Sequence, residues 1–255
     1  FSALVRGESF SEAQLASLRQ EDDFSTIFVD GEEILVEQAT LTVTTLIDEN
    51  NGTGDLSLRE AIATASSGDT ITFSVDGTID LDSALGELVI DKGLTIDGDN
   101  DDDGTAEITI DAQGTSRVFN IDDGDNANAQ AVTLEGLTIT GGTTTGDGGG
   151  IFNRENLTLS NSTVSGNFAD DGGGIKNYGT ATVTNSTVSY NSAFFGGGIN
   201  NDGTATVTNS TVSYNSAEYG GGINNDGTAT LTNSTVSGNS ADFGSGGGIN
   251  NYGTA

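Results

Sequence analysis

Between residues 99 and 107 the chain reads Asp-Asn-Asp-Asp-Asp-Gly-Thr-Ala-Glu, which places carboxylates at Asp99, Asp101 and Asp103 ahead of a glycine bend. Alternate acids around such a bend let one short loop surround a calcium ion with oxygens about 2.4 Å away. The spacing predicts ligands from Asp99, Asp101, Asp103, the carbonyl of Thr105 and the side chain of Glu107. The loop departs from a helix–loop–helix calcium motif, because its twelfth position is Ile110 rather than Glu and no flanking helices are expected. Asp122, Asp123 and Asp125 form a second, less complete acidic loop for the same ion.

The rest of the composition narrows the chemistry. The 255 residues include no His, Cys, Pro, Met or Trp, so imidazole bases, thiol nucleophiles and zinc or iron sites of the nitrogen and sulfur kind are excluded. Against 38 acids stand 7 bases, a net charge of -31 that repels nucleic acid and anionic lipid. Residues 1–150 hold 31 of the acids and 5 of the bases. Close carboxylates repel unless cations screen or bridge them, so divalent-ion-dependent stability is expected of that half. No apolar run approaches the roughly 18 residues of a membrane span.

The elements that must carry these residues are set by a repeat. Gly-Gly-Gly-Ile ends at Ile151, Ile175, Ile199, Ile223 and Ile249, and the columns Val164, Val188, Val212, Val236 and Leu159, Val183, Val207, Leu231 keep a 24-residue period. Within each unit the apolar residues sit in short alternating pieces separated by Asn, Ser and Gly, which reads as three short strands and turns. Strands of this kind stack as a right-handed parallel β-helix, the hand following the rule for parallel crossovers. About 210 residues from Leu41 onward predict roughly nine turns and a rod ~40 Å long, at ~4.8 Å per turn. Residues 1–40 read as a cap or assembly segment, with a short amphipathic helix over Phe10–Glu21.

Asparagine falls in the same register at Asn167, Asn191, Asn215 and Asn239, at Asn177, Asn201, Asn225 and Asn251, and at Asn161, Asn185, Asn209 and Asn233. An inward column is expected to form a structural amide ladder from turn to turn. Phe195, Tyr219 and Phe243 form an aromatic file, read as a corner stack with a sugar-binding strip as the alternative. The Asn-Ser-Thr triplets have the form of glycosylation acceptors, but the repeat geometry accounts for them first.

Leu41–Phe73 contains Ser57-Leu58-Arg59-Glu60-Ala61-Ile62 and Gly68-Asp69-Thr70-Ile71, and this resembles the CSLREA segment that opens many secreted bacterial right-handed β-helix proteins. Leu56 stands where that segment has its cysteine, so the disulfide of relatives is absent. Gly-Gly-Gly-Ile-Phe-Asn at 148–153 is similar to the GGAI and FxxN repeats of polymorphic outer membrane proteins. The resemblance implies a secreted or surface-attached structural or adhesive protein, with cell-surface glycans or other cells as partners. Two alternatives stand beside it. A polysaccharide lyase needs a base near calcium, with Arg117 the nearest candidate, and a glycoside hydrolase needs two placed carboxylates. The ranks Thr182 and Thr184, Thr206 and Thr208, Thr230 and Thr232 resemble an ice-binding face. The last repeat stops at Ala255 with its turn incomplete, which leads to the expectation either of a longer natural chain or of head-to-tail fibres in which Phe1, Leu4 and Val5 complete a neighbour's final turn.

Overall fold

A computed structural model describes the backbone of residues 24–37, apart from 30 and 31, and the whole of residues 38–255 except 53, 102, 126 and 244. The expected helix at Phe10–Glu21 and the assembly residues Phe1, Leu4 and Val5 lie outside the described residues. Phe24–Val29 and Glu32–Glu37 form an antiparallel hairpin.

From Thr40 the chain is a parallel β-solenoid. Sheet I has eight strands, from Thr40–Val43 to Thr228–Thr232; sheet II has seven, from Gly77–Asp80 to Thr235–Ser237; sheet III has seven, from Leu88–Ile90 to Ile249–Asn251. A fourth sheet of short strands, sheet IV, appears only in the later turns: Phe168–Asp171, Ser192–Phe195, Ser216–Tyr219 and Ser240–Ala241. The eight strands of sheet I enclose seven full turns rather than the nine expected. The early turns consume more chain, since Thr40 pairs with Thr70 and Leu94 with Val132, whereas Thr180 pairs with Thr204. No described helix is long and apolar enough to cross a membrane.

The core is a column one turn thick. Ile79, Ile110, Ile139, Val164, Val188 and Val212 face inward from sheet II, and Ile151, Ile175, Ile199 and Ile223 from sheet III, all nearly inaccessible to solvent. In the regular turns one inward column changes chemistry. The position held by Ile90 and Ile121 becomes Asn153, Asn177, Asn201, Asn225 and Asn251. Each Nδ2 donates to the next Oδ1 at 2.6–2.7 Å. Asn167, Asn191, Asn215 and Asn239 form a second ladder at 3.0 Å. Asn161, Asn185, Asn209 and Asn233 do not point inward; they adopt φ of 49–51° at a corner, a conformation asparagine tolerates. A ladder unread in the sequence completes the triplet: the backbone N–H groups of Ser162, Ser186 and Ser210 donate to the hydroxyls of Ser186, Ser210 and Ser234.

Glycine serves two purposes in each triplet. Gly172, Gly196 and Gly220 adopt φ of 62–66°. Gly174, Gly198 and Gly222 lie so close to the next turn that a Cβ would sit 2.5–2.6 Å from its glycine carbonyl, which no side chain permits.

Helix α1, Leu58–Thr64, closes the first turn and gives each residue of the Ser-Leu-Arg-Glu-Ala motif a task. Ser57 caps it and exchanges bonds with Glu60 in a capping box. Leu58 and Ala61 enter the core, and Leu56, in the cysteine's place, packs against it. Arg59 grips both oxygens of buried Asp48 at 2.8 Å and donates to the carbonyls of Gly86 and Glu87. The N–H groups of Gly52, Ser57 and Asn51 hold Glu60 below the ordinary carboxylate range.

Candidate functional site

Regular turns pass from sheet I to sheet II through two residues, as between Asn156–Ser160 and Thr163–Ser165. Between Leu94–Asp97 and Ile108–Asp111 the same corner is expanded into the acidic loop, residues 98–107. Gly98 begins it because a Cβ there would lie 2.6 Å from the carbonyl of Gly136. Asp99, buried in the corner, accepts from the N–H groups of Asp103 at 3.1 Å and Gly104 at 2.7 Å. Gly104 makes the bend at φ 82°. The Thr105 hydroxyl bridges Asp103 Oδ1 at 2.6 Å and Glu107 Oε1 at 2.8 Å, while Glu107 Oε2 accepts from the Asn100 N–H.

These bonds bring one oxygen each of Asp99, Asp101, Asp103 and Glu107 within 4.8 Å of one another. That span is twice a calcium–oxygen distance of about 2.4 Å, and an all-oxygen donor set suits a hard cation. Four of the five expected residues therefore converge through their carboxylates; Thr105 contributes by orienting two of them. The carboxylates repel one another. Asp103 raises the Asp101 carboxyl above its ordinary value, while hydrogen bonds from Thr105 lower that of Asp103. Among the described residues no cationic side chain forms an ion pair with these four.

The second acidic loop occupies the corner between sheets III and I, residues 122–130. Asp122 and Asp123 come together there, but the third carboxylate is Glu155 from the following turn, not Asp125. Asp125 turns back on its own loop, accepting from the Ala127 N–H at 2.9 Å and the Asn128 amide at 3.0 Å. Glu155 is 2 % exposed and accepts from the N–H groups of Asp123 and Gln130. Asp122 is also shared with Arg154 at 3.5 Å. This group differs from the first in already holding a cationic partner.

Arg117 is not directed to either loop. It pairs with Glu87 at 2.9 Å and donates to the carbonyls of Asp147 and Gly148 at 2.8 Å. Its guanidinium lies 5.0 Å from the Phe152 ring. Arg154 and Lys176 continue this network over the Tyr178 ring, at 5.0 and 4.5 Å, and buried Lys176 pairs with Asp202. Burial and the hydrogen bond to Asp147 push the Tyr178 hydroxyl up to about 12. Each of the five described Lys and Arg side chains is ion-paired.

A further feature lies on the corner leading into sheet IV. Successive turns read Ser165-Gly166-Asn167, Ser189-Tyr190-Asn191, Ser213-Tyr214-Asn215 and Ser237-Gly238-Asn239. The central residue always has positive φ: 69° and 64° at the glycines, 57° and 55° at the tyrosines. The left-handed conformation costs an L-residue about 1–2 kcal/mol, and one stacked ring pair returns about 0.5–1.5 kcal/mol. Tyr190 and Tyr214 stack at 5.3 Å with their planes 8° apart, yet stay 66 % and 59 % exposed. Their mutual contact does not offset two strained backbones. Phe195, Tyr219 and Phe243 do stack in file, at 5.1 and 5.8 Å, as expected of a corner.

Comparison with known proteins finds no matching family model, no significantly similar curated protein and no significantly similar solved structure.

Proposed function

We propose that this chain is an extracellular, surface-associated structural or adhesive rod whose expanded acidic corner is clamped by calcium. One observation carries the reading: the groups with catalytic potential are committed to holding turns together. Arg59 and Arg117 bind carboxylates and carbonyls of neighbouring turns, and the buried amides bond to one another. What the surface offers instead is a long, regular array. The Ser57–Ile62 motif, similar to that of secreted β-helix proteins, and the Gly-Gly-Gly-Ile repeats, similar to those of polymorphic outer membrane adhesins, support the same reading. Electron microscopy of the native protein, with and without a calcium chelator, tests it. Straight rods or rod assemblies that fray at one region under chelation are expected. Particles indifferent to chelation, together with release of unsaturated or reducing ends from polysaccharides, would replace the reading with a lyase or hydrolase.

A second reading rests on threonine. Thr40, Thr70, Thr95, Thr133, Thr158, Thr182, Thr206 and Thr230 form an unbroken column across all eight strands of sheet I. Thr78, Thr109, Thr138, Thr163, Thr187, Thr211 and Thr235 form another across sheet II. A flat rank of alternating methyl and hydroxyl groups favours ordered water, which is the basis of an ice-binding alternative. Thermal hysteresis is its measurement, and freezing and melting points that coincide would end it. Threonine's fitness for half-exposed strands explains the columns without that role.

A further inference from the structure

We propose that the outward face of sheet IV and its entry corner is a binding platform for an uncharged polysaccharide, with Tyr190 and Tyr214 as its contact residues. The inference rests on the adhesive reading above and names its ligand class. Exposed aromatics concentrate on this face. Phe168 pairs in register with Ser192 and then Ser216, and the outward neighbours on either side are Tyr190 and Phe194 in one turn and Tyr214 in the next. Phe168, Tyr190, Phe194 and Tyr214 all remain exposed. Exposed large apolar side chains gathered on one face in this way mark an interaction site.

The tyrosines are the sharper observation. The turns before and after supply glycine at the same position, so the corner itself needs no ring there. Two bulky residues are held in a strained conformation that their stacking does not compensate, and strain of this kind clusters at functional sites. Tyr214 leans over Gly238, where a Cβ would meet its ring at 2.8 Å, so the pair is inclined toward that turn.

Charge selects the occupant. No Lys or Arg follows Lys176 in the sequence, while Asp170, Glu218 and Asp242 occupy outward positions beside the aromatics. An anionic polymer is repelled. A neutral glycan packs its C–H groups against the exposed edges of the stacked rings and donates its hydroxyls to the carboxylates, Ser192 and Ser216 lying between them.

Affinity electrophoresis through gels containing soluble neutral glucan, xylan or mannan, or acidic polygalacturonate or alginate, tests the proposal. Retardation by at least one neutral polymer and by neither acidic one is expected. The Tyr190→Gly/Tyr214→Gly variant, which restores the residue used by the flanking turns, should bind at least tenfold more weakly while melting at the same temperature or higher. Absence of retardation in every neutral gel, equal retardation by the acidic polymers, or a variant that binds as the native chain does would each overturn it. Retention that 0.5 M salt abolishes would mark a charge-driven contact rather than packing on the rings and likewise overturn it. The chelation micrographs do not involve these tyrosines, so failure here leaves the rod reading standing, and failure there leaves this binding result intact.

Discussion

A buried amide that donates to one turn and accepts from another leaves its neighbour's oxygen without that donor when the column is broken. Asn201 receives a 2.7 Å bond from Asn177 and gives one to Asn225. Asn201→Ala therefore takes the ladder donor from Asn225 Oδ1, while Asn177 Nδ2 keeps the carbonyls of Gly179 and Thr204, so a loss of about 1–3 kcal/mol is expected for the one unsatisfied group. A lower urea midpoint with an unchanged slope is expected; a shift of only a few tenths would show that the ladder is ornamental. Asn209→Gly, on the outward column, should cost little, because glycine accepts the φ of 51° found there. The acidic loop responds to both pH and metal. Asp101 holds its proton more tightly in the folded chain, so its contribution favours folding only in acid and is lost as pH rises past its raised value. Asp103 has the opposite sign: its stabilisation is present above the ordinary carboxylate range and is lost as pH falls through its lowered value. A calcium ion would turn the repulsion at neutral pH into attraction. Calcium at a hundredfold excess over its dissociation constant should add about 2.7 kcal/mol at pH 7. In acid, well below the ordinary carboxylate values of about 4, protons compete with the ion and calorimetry should find the increment lost. In Asp101→Asn/Asp103→Asn the increment should be missing under both conditions.

At the scale of elements, α1 is fastened by one side chain. Arg59 neutralises Asp48, whose side chain is 1 % exposed, and satisfies carbonyls at residues 86 and 87. Arg59→Met leaves that carboxylate buried with the Asp82 N–H as its remaining partner among these bonds, and breaking a buried pair costs about 3–5 kcal/mol. Arg59→Lys should recover only part of this, since an ammonium lacks the fork that reaches both oxygens. Chemical denaturation of the two variants separates charge from geometry; equal losses would mean that only the fork matters. The legibility of the sequence divides along similar lines. The 24-residue columns of Ile, Val and Asn announced their own stacking because equal spacing puts like residue over like. Gly174 and its equivalents were recognisable as corners, but the close approach of carbonyls that excludes a Cβ depends on the path of the next turn. Glu155, Lys176 and Glu87 meet their partners across 25 to 32 residues of uneven spacing, so no local pattern identified them. The first acidic loop was readable because its ligands are local, and Asp125 was misplaced because a short acidic run does not disclose which carboxylate folds back on its own backbone.

For the whole molecule, each turn touches only its neighbours, so stability is a chain of local terms rather than one shared core. The two halves differ in what supplies those terms. From Asn156 to Thr232 successive turns carry amide and serine ladders together with narrow apolar columns. The turn between Leu94 and Val132 carries both expanded acidic corners and has neither asparagine ladder, its apolar packing working against carboxylates that repel. Removing calcium should therefore loosen the solenoid locally. Hydrogen exchange followed by mass spectrometry is expected to show chelation accelerating amides over residues 94–135 severalfold, with the effect fading within a turn on either side and peptides from 180–232 unchanged. Uniform acceleration along the rod would mean that the turns unfold as one cooperative unit, and no acceleration anywhere would remove calcium from the account of its stability.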